Sequence, residues 1–210
     1  RGDTNPAAHR LIERFGSLSA VLEASYGDLI GVDGIGDSAA TLITMVPQLF
    51  RRYSADKVDK LKVISDFEDA KAFLVPRFFG LKNERAGIIC LDAQGRINNF
   101  VFVSDGSLKL AQIDVRKIAQ LALQNNADSI ILAHNHPGGF ASPSRNDVDA
   151  TKLLINALGL INIRVADHII ISDAEAFSMA SNPRFAPVFM EASAGSAQST
   201  GVSMSQGDND

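Results

Sequence analysis

The chain has 210 residues, 46% of them apolar or aromatic and 21% charged, with a formal net charge of −4. That balance excludes a largely disordered protein and one that coats nucleic acid by bulk positive charge. A single cysteine, Cys90, excludes an internal disulfide and any cysteine-built zinc module, and no apolar run reaches the roughly 18 residues that a membrane-spanning helix needs.

The length allows one or two domains, and three zones separate by composition: residues 1–63, 64–191 and 192–210. The first zone reads as helical. Thr4-Asn5-Pro6 is a start signal, Leu11, Ile12 and Phe15 recur at helical spacing, and Gly16 stops the run. Ser17 caps a second short helix, a third surrounds Asp28 to Ile30, and Ala39, Leu42, Ile43 and Val46 form another helical stripe. The polar run from Arg51 to Lys62 is expected to be a linker.

From Lys62 onward strand and helix signals alternate. Ser65 and Glu68 are spaced as a capping box before Ala70, Phe73 and Leu74. Ala86–Leu91 and Ile97–Val103 flank the turn residues Asp92 to Gly95 and predict a hairpin. A helix over Ile113–Leu123, a strand over Ser129–Ala133, a helix over Val148–Leu158 and a strand over Ile161–Ile171 follow. Such interleaving predicts a layered α/β domain behind the small helical one. The last nineteen residues lack Leu, Ile, Phe and Tyr and read as a flexible tail. A cytoplasmic setting is the default expectation.

The strongest chemical signal is His134-Asn135-His136-Pro137, directly after the strand Ser129–Ala133. Alternate strand residues share a face, so both imidazoles can converge on one metal ion. Asp147 opens the next helix and supplies a carboxylate. Two histidines and one carboxylate leave a fourth tetrahedral position free for water, the arrangement of catalytic rather than structural zinc sites. Ser144, three residues before Asp147, reads as that helix's cap, a role compatible with lying beside the metal.

His134-x-His136-Pro137, six residues, then Ser144-x-x-Asp147 resembles the signature of the JAMM metalloproteases, also called MPN or JAB domains. The wider segment Ile130 to Asp147, with Asp167-His168-Ile169-Ile170-Ile171 further on, resembles the RadC family in particular, which joins a helix-hairpin-helix segment to a JAMM domain. The resemblance implies a cytidine-deaminase-like layered α/β domain with a mixed sheet. It also implies a zinc ion held by His134, His136 and Asp147, and Glu84 as general acid/base, although Glu84 alone also reads as a solvated carboxylate at a strand end. Ser144 would stabilise the oxyanion formed when water attacks a peptide or isopeptide bond. One stretch departs from the pattern. Where RadC-like sequences carry Val-His-Pro-Arg-Glu, this chain has Ile113-Asp114-Val115-Arg116-Lys117, so a substrate contact there would differ. His168 is expected to be structural.

Leu29 to Ala40 resembles a helix-hairpin-helix, whose Gly34 and Gly36 would let backbone N–H groups approach a phosphate. Asp33 and Asp37 beside it repel phosphate, and eight basic residues balance eight acidic ones over residues 1–63. Any DNA contact is therefore expected to be weak, with Arg51 and Arg52 as its cationic helpers. A DNA-associated accessory role and a non-catalytic scaffold stand as the alternatives to hydrolysis.

Overall fold

The computed structural model describes residues 4–58, 62–105, 114–172 and 175–195. The chain divides into two compact units, Arg1–Lys60 with Ala72–Gly80, and Leu61–Lys71 with Leu81–Asp210.

In the first unit, α1 (Asn5–Phe15) carries its proline in the first turn and ends where Gly16, at φ +84°, donates its N–H to Ile12 O. Ser17 and Ser25 cap α2 (Leu18–Glu23) and α3 (Tyr26–Ile30) by accepting the N–H groups of Ala20 and Asp28. Leu11, Val21, Leu29, Val32 and Ala40 form their shared core. The fourth helix, α4 (Asp37–Val58), corrects one expectation: the polar run from Arg51, read as a linker, is helical to Val58. Polarity there marks a solvated helix face, stitched by the ion pair of Arg52 with Asp56 and by Lys57 over the Tyr53 ring, both at the four-residue helical spacing.

The fifth helix, α5 (Phe67–Phe78), is divided between the units. Its cap sits one residue later than the sequence suggests. Asp66 accepts from Asp69 N–H at 2.9 Å and Asp69 accepts from Ser65 N–H at 2.9 Å, so a pair of aspartates replaces Ser65 and Glu68.

The second unit is built on β1 (Arg85–Leu91), β2 (Ile97–Asp105), β3 (Ser129–Asn135), β4 (Arg164–Ser172) and β5 (Glu175–Ser178). The order is β2-β1-β3-β4-β5, with β3 and β4 parallel and every other pair antiparallel. Among the described residues, α6 (Val115–Gln124), α7 (Arg145–Gly159) and α8 (Ala186–Gly195) lie wholly in this unit. Every residue of the central strand β3 is buried, which explains why it reads as a continuous apolar run rather than an alternating one. Ile88 and Cys90 of β1, Ile130 and Leu132 of β3, Ile118 of α6, and Leu154 and Leu158 of α7 form one apolar layer on one face of the sheet.

The fold is thus a helical N-terminal part followed by a five-stranded mixed sheet with helices, as expected. β5 and α8 were not expected from sequence, because a four-residue strand is too short to show a period. α8 covers the first residues of the segment read as a tail, and residues 196–210 lie outside the described ones, as does Ile113. Among the described residues no helix is long and apolar enough to cross a membrane.

Candidate metal centre

Strand and helix periods deliver the three expected ligands to one end of the apolar layer. On β3, Ile130 and Leu132 point into that layer, and two residues further the same face carries His134. The donation from His136 N–H to Ile171 O, 2.8 Å, extends the ladder past the end of β3 and keeps His136 in the same alternation. On α7, Leu158, Leu154, Thr151 and Asp147 follow one another at helical spacing, and all are buried. Asp147 is 3% and His134 1% exposed.

The donor atoms converge. His134 Nε2 lies 2.9 Å from His136 Nε2 and 3.3 Å from Asp147 Oδ1, and His136 Nε2 lies 3.7 Å from Asp147 Oδ2. Two ligands of a tetrahedral ion with bonds of 2.0–2.1 Å stand about 3.3 Å apart, so these separations bracket the edge of such a site. The chemistry of the donors fits as well. His136 Nδ1 faces the carbonyl of Phe140 at 3.1 Å, a group that can only accept, so His136 carries its proton there and offers Nε2 as a lone pair. Burial lowers the His134 pKa to about 4, outweighing the attraction of Asp147, and keeps the ring neutral as ligation requires. The group can bind a metal ion, and among the described residues it is the set of His, Cys, Asp and Glu side chains that meets this closely.

Glu84 and Ser144 line the same cavity of about 400 Å³ as the three ligands. The register explains Glu84. Ala86 pairs with His134 in the antiparallel ladder, so two residues outward Glu84 falls opposite His136 and on the same face. The residue between the two histidines holds that segment in place. Asn135 accepts Arg85 N–H at 2.8 Å and donates to the carbonyls of Asn83, 3.2 Å, and Leu81, 3.4 Å, gripping the chain on both sides of Glu84. Ser144 caps α7 in full. Its Oγ–H and its N–H each donate to Asp147 Oδ2 at 2.7 Å, and its Oγ accepts from Asp147 N–H. The Ser144 hydroxyl therefore orients the Asp147 carboxylate.

Sequence reasoning missed three buried groups around this centre: Asn135, Thr151 and the bonding of His168. Thr151 was signalled, since it stands one helical turn after Asp147. His168 was concealed by a bulge. Ile130 pairs with Val165 and Ile131 with Asp167, so Ala166 is an extra residue in β4. Val165 faces the apolar layer, and after the inserted residue the alternation resumes with His168 on that side instead of Asp167. His168 then meets His134 Nδ1 at 2.8 Å. Asp167 turns the other way and accepts from Ser178 Oγ–H and from the N–H groups of His168 and Ala180. Its pKa is raised by burial, against the effect of those hydrogen bonds.

The residues proposed for DNA lie in the first unit. Gly34, at φ +88°, is shaped for a tight turn, but a side chain there would meet Arg10 of the same chain at 2.9 Å. Arg10 donates to Asp33 O and Arg14 to Gly31 O, each at 2.8 Å, so carbonyls of the turn between α3 and α4 are answered from α1. Arg51 donates to Phe79 O and Arg52 pairs with Asp56. Fifteen residues, or about 22 Å of helix, separate Gly36 from Arg51.

The family model described as RadC-like JAB domain matches residues 64–184. A UPF0758 protein of Nitrosococcus oceani is 36% identical over 173 residues, covering 82% of this chain and 77% of that protein. One from Saccharophagus degradans is 34% identical over the same shares, and one from Vibrio campbellii is 35% identical over 81% of this chain and 76% of the relative.

Proposed function

The chain belongs to the RadC family, with its RadC-like JAB domain over residues 64–184, and from that premise we propose that it is a zinc-dependent hydrolase of peptide or isopeptide bonds. The observation that carries the reading is the convergence of His134, His136 and Asp147 in a cavity that Glu84 also lines. An N/N/O donor set with room beside it suits zinc, although the donors alone also admit other first-row ions. A zinc ion held there supplies Lewis acidity and lowers the pKa of a water molecule towards 7.

The rest of the chemistry falls to the chain. Glu84 takes the proton of the attacking water on its carboxylate and returns it to the departing amine. Ser144, whose hydroxyl donates to Asp147 Oδ2 in the structure, would give that hydrogen bond to the substrate carbonyl oxygen as negative charge develops there. His134 and His136 remain neutral donors, and Asn135 holds the backbone of the Glu84 segment while the carboxylate trades its proton.

The test is a screen of zinc-loaded protein against fluorogenic peptides and isopeptide-linked substrates, run beside Glu84→Gln. Turnover should fall by about 10²–10⁴-fold in Glu84→Gln with one zinc ion per chain retained. Undiminished turnover in that variant would remove Glu84 from the mechanism. Stoichiometric zinc with no turnover on any substrate would favour the non-catalytic scaffold.

A further inference from the structure

Behind the ligand set, on the side away from the cavity, three hydrogen bonds run in series. His134 Nδ1 lies 2.8 Å from His168 Nε2, His168 Nδ1 lies 2.6 Å from Thr151 Oγ, and Thr151 Oγ lies 2.6 Å from the carbonyl oxygen of Asp147. The series leaves one ligand on β3, crosses to β4 and returns through α7 to the backbone of another ligand. His168 and Thr151 have no exposed surface, so the neighbours in the series decide where each proton sits.

The direction follows from its fixed end. A carbonyl has no proton to give, so the Thr151 hydroxyl donates to Asp147 O, the common back-bond of threonine to the carbonyl four residues earlier. Met179 Sδ, at 3.8 Å, is a weaker acceptor and does not compete for that proton. Thr151 then offers His168 only lone pairs, so His168 donates from Nδ1. A neutral His168 keeps a lone pair on Nε2, and this accepts the proton of His134 Nδ1. His134 is left with its lone pair on Nε2, the atom that faces His136 and Asp147. The reverse direction would put a proton on His134 Nε2, where it blocks ligation, and would take the hydroxyl donor from Asp147 O.

We propose that His168 and Thr151 are positioning residues of the metal centre, which fix His134 in its Nδ1–H tautomer and so present Nε2 to the ion as a lone pair. The proposal rests on the metal-centre reading above. It accounts for two polar side chains without exposed surface inside an apolar layer, where leucine-like residues would pack at no polar cost. It also ties two ligands from different elements into one hydrogen-bonded frame, as outer partners of metal-bound histidines do.

Thr151→Val tests it, because the variant keeps the side-chain shape and removes only the hydroxyl. In metal-free wild-type protein, ¹⁵N NMR of the imidazoles should show His134 protonated on Nδ1. In Thr151→Val the Nε2–H form should appear, and zinc affinity, measured by competition with a chelator, should fall about 10–100-fold. Thr151→Ser should restore both, and thermal melts of the metal-free proteins separate this from loss of fold. A metal-free wild-type His134 protonated on Nε2 would overturn the proposal, and that reading needs no variant to fold. So would a folded Thr151→Val that binds zinc as tightly as wild type. Wild-type protein that binds no zinc while His134 keeps its Nδ1 proton would instead overturn the metal-centre reading on which the proposal stands.

Discussion

In the helical unit the polar side chains work at the surface. Arg10 and Arg14 reach backbone carbonyls of the 31–36 turn, and Arg52 pairs with Asp56 where both are largely exposed. In the sheet unit one polar cluster lies inside: His134, Asp147, Thr151 and His168 are each at most 3% exposed, at one end of a layer otherwise made of Ile, Leu, Val and Ala with Cys90. Surface pairs cost little to make and contribute little when made. Buried polar groups cost several kcal/mol unless every partner is supplied, so such a cluster persists only as a complete set. The contrast separates polar groups that hold a turn from polar groups that form a site.

The largest expected difference between the two units is in metal. His134→Ala/His136→Ala should reduce zinc from about one ion per chain to none, by elemental analysis after dialysis. Arg10→Ala/Arg14→Ala, which removes the arginine contacts of the 31–36 turn, should leave the ratio at one. Metal lost from the arginine variant would break the comparison.

Acid should sharpen it. Burial holds His168 well below the ordinary imidazole value and brings His134 down to about 4, with nearby imidazoles adding to the effect. Once unfolded, both rings take a proton near pH 6.5, so between that pH and about 4 the unfolded chain binds more protons than the folded one. Stability of the metal-free protein is therefore complete above pH 6.5 and declines as pH falls. The slope is up to about 2.7 kcal/mol per pH unit while both rings differ by a full proton. Hydrogen exchange at pH 7 and pH 5 should place that loss in β3, β4 and α7. Equal loss in α1 to α4 would contradict it.

How much of this was legible in the sequence depends on where the governing contact lies. His134, His136 and Asp147 were readable because a two-residue strand period and a helix start place them with no knowledge of the rest of the chain. Glu84 needed the β1–β3 register, a pairing across 50 residues, and only the family resemblance suggested it. His168 was visible as a residue but not as a partner of His134, because the extra Ala166 reverses the alternation of β4 and no local pattern announces a bulge. The polar run after Arg51 misled for the opposite reason: an exposed helix face and a linker share one composition. Ser144 was readable as a cap from Ser-x-x-Asp alone, whereas the donation of its hydroxyl to the Asp147 carboxylate required coordinates.

Asn135 offers a smaller effect inside the sheet unit. Asn135→Ala removes the acceptor of Arg85 N–H and the donor to Asn83 O while leaving the ligand atoms untouched. A buried backbone group left without its partner costs about 1–3 kcal/mol. The variant should lose about that much stability, so that it melts earlier, and exchange its amide protons faster at residues 81–85, with zinc affinity unchanged. A fall in zinc affinity equal to that of a ligand variant would mean that Asn135 supports the histidines instead of the Glu84 segment.

The smallest effect belongs to Arg52, and it asks whether the helical unit has a site of its own. The Arg52–Asp56 pair spans 2.9 Å one helical turn apart, with the arginine side chain 80% exposed. Pairs of this kind are worth about 0.3–0.5 kcal/mol, so Arg52→Ala should scarcely move the melting temperature. Its effect on DNA binding is a separate quantity. A phosphate contact by Arg52 would contribute about one unit to the slope of log affinity against log salt, and Arg52→Ala would remove it. The balanced charge of residues 1–63 and the Asp56 carboxylate beside Arg52 lower the affinity of such a contact. The expected result is weak binding at low salt with a slope that Arg52→Ala lowers by about one. A slope that the substitution leaves unchanged would show that the arginine serves α4 alone, and the contrast between a surface that holds a turn and an interior that forms a site would then extend over the whole helical unit.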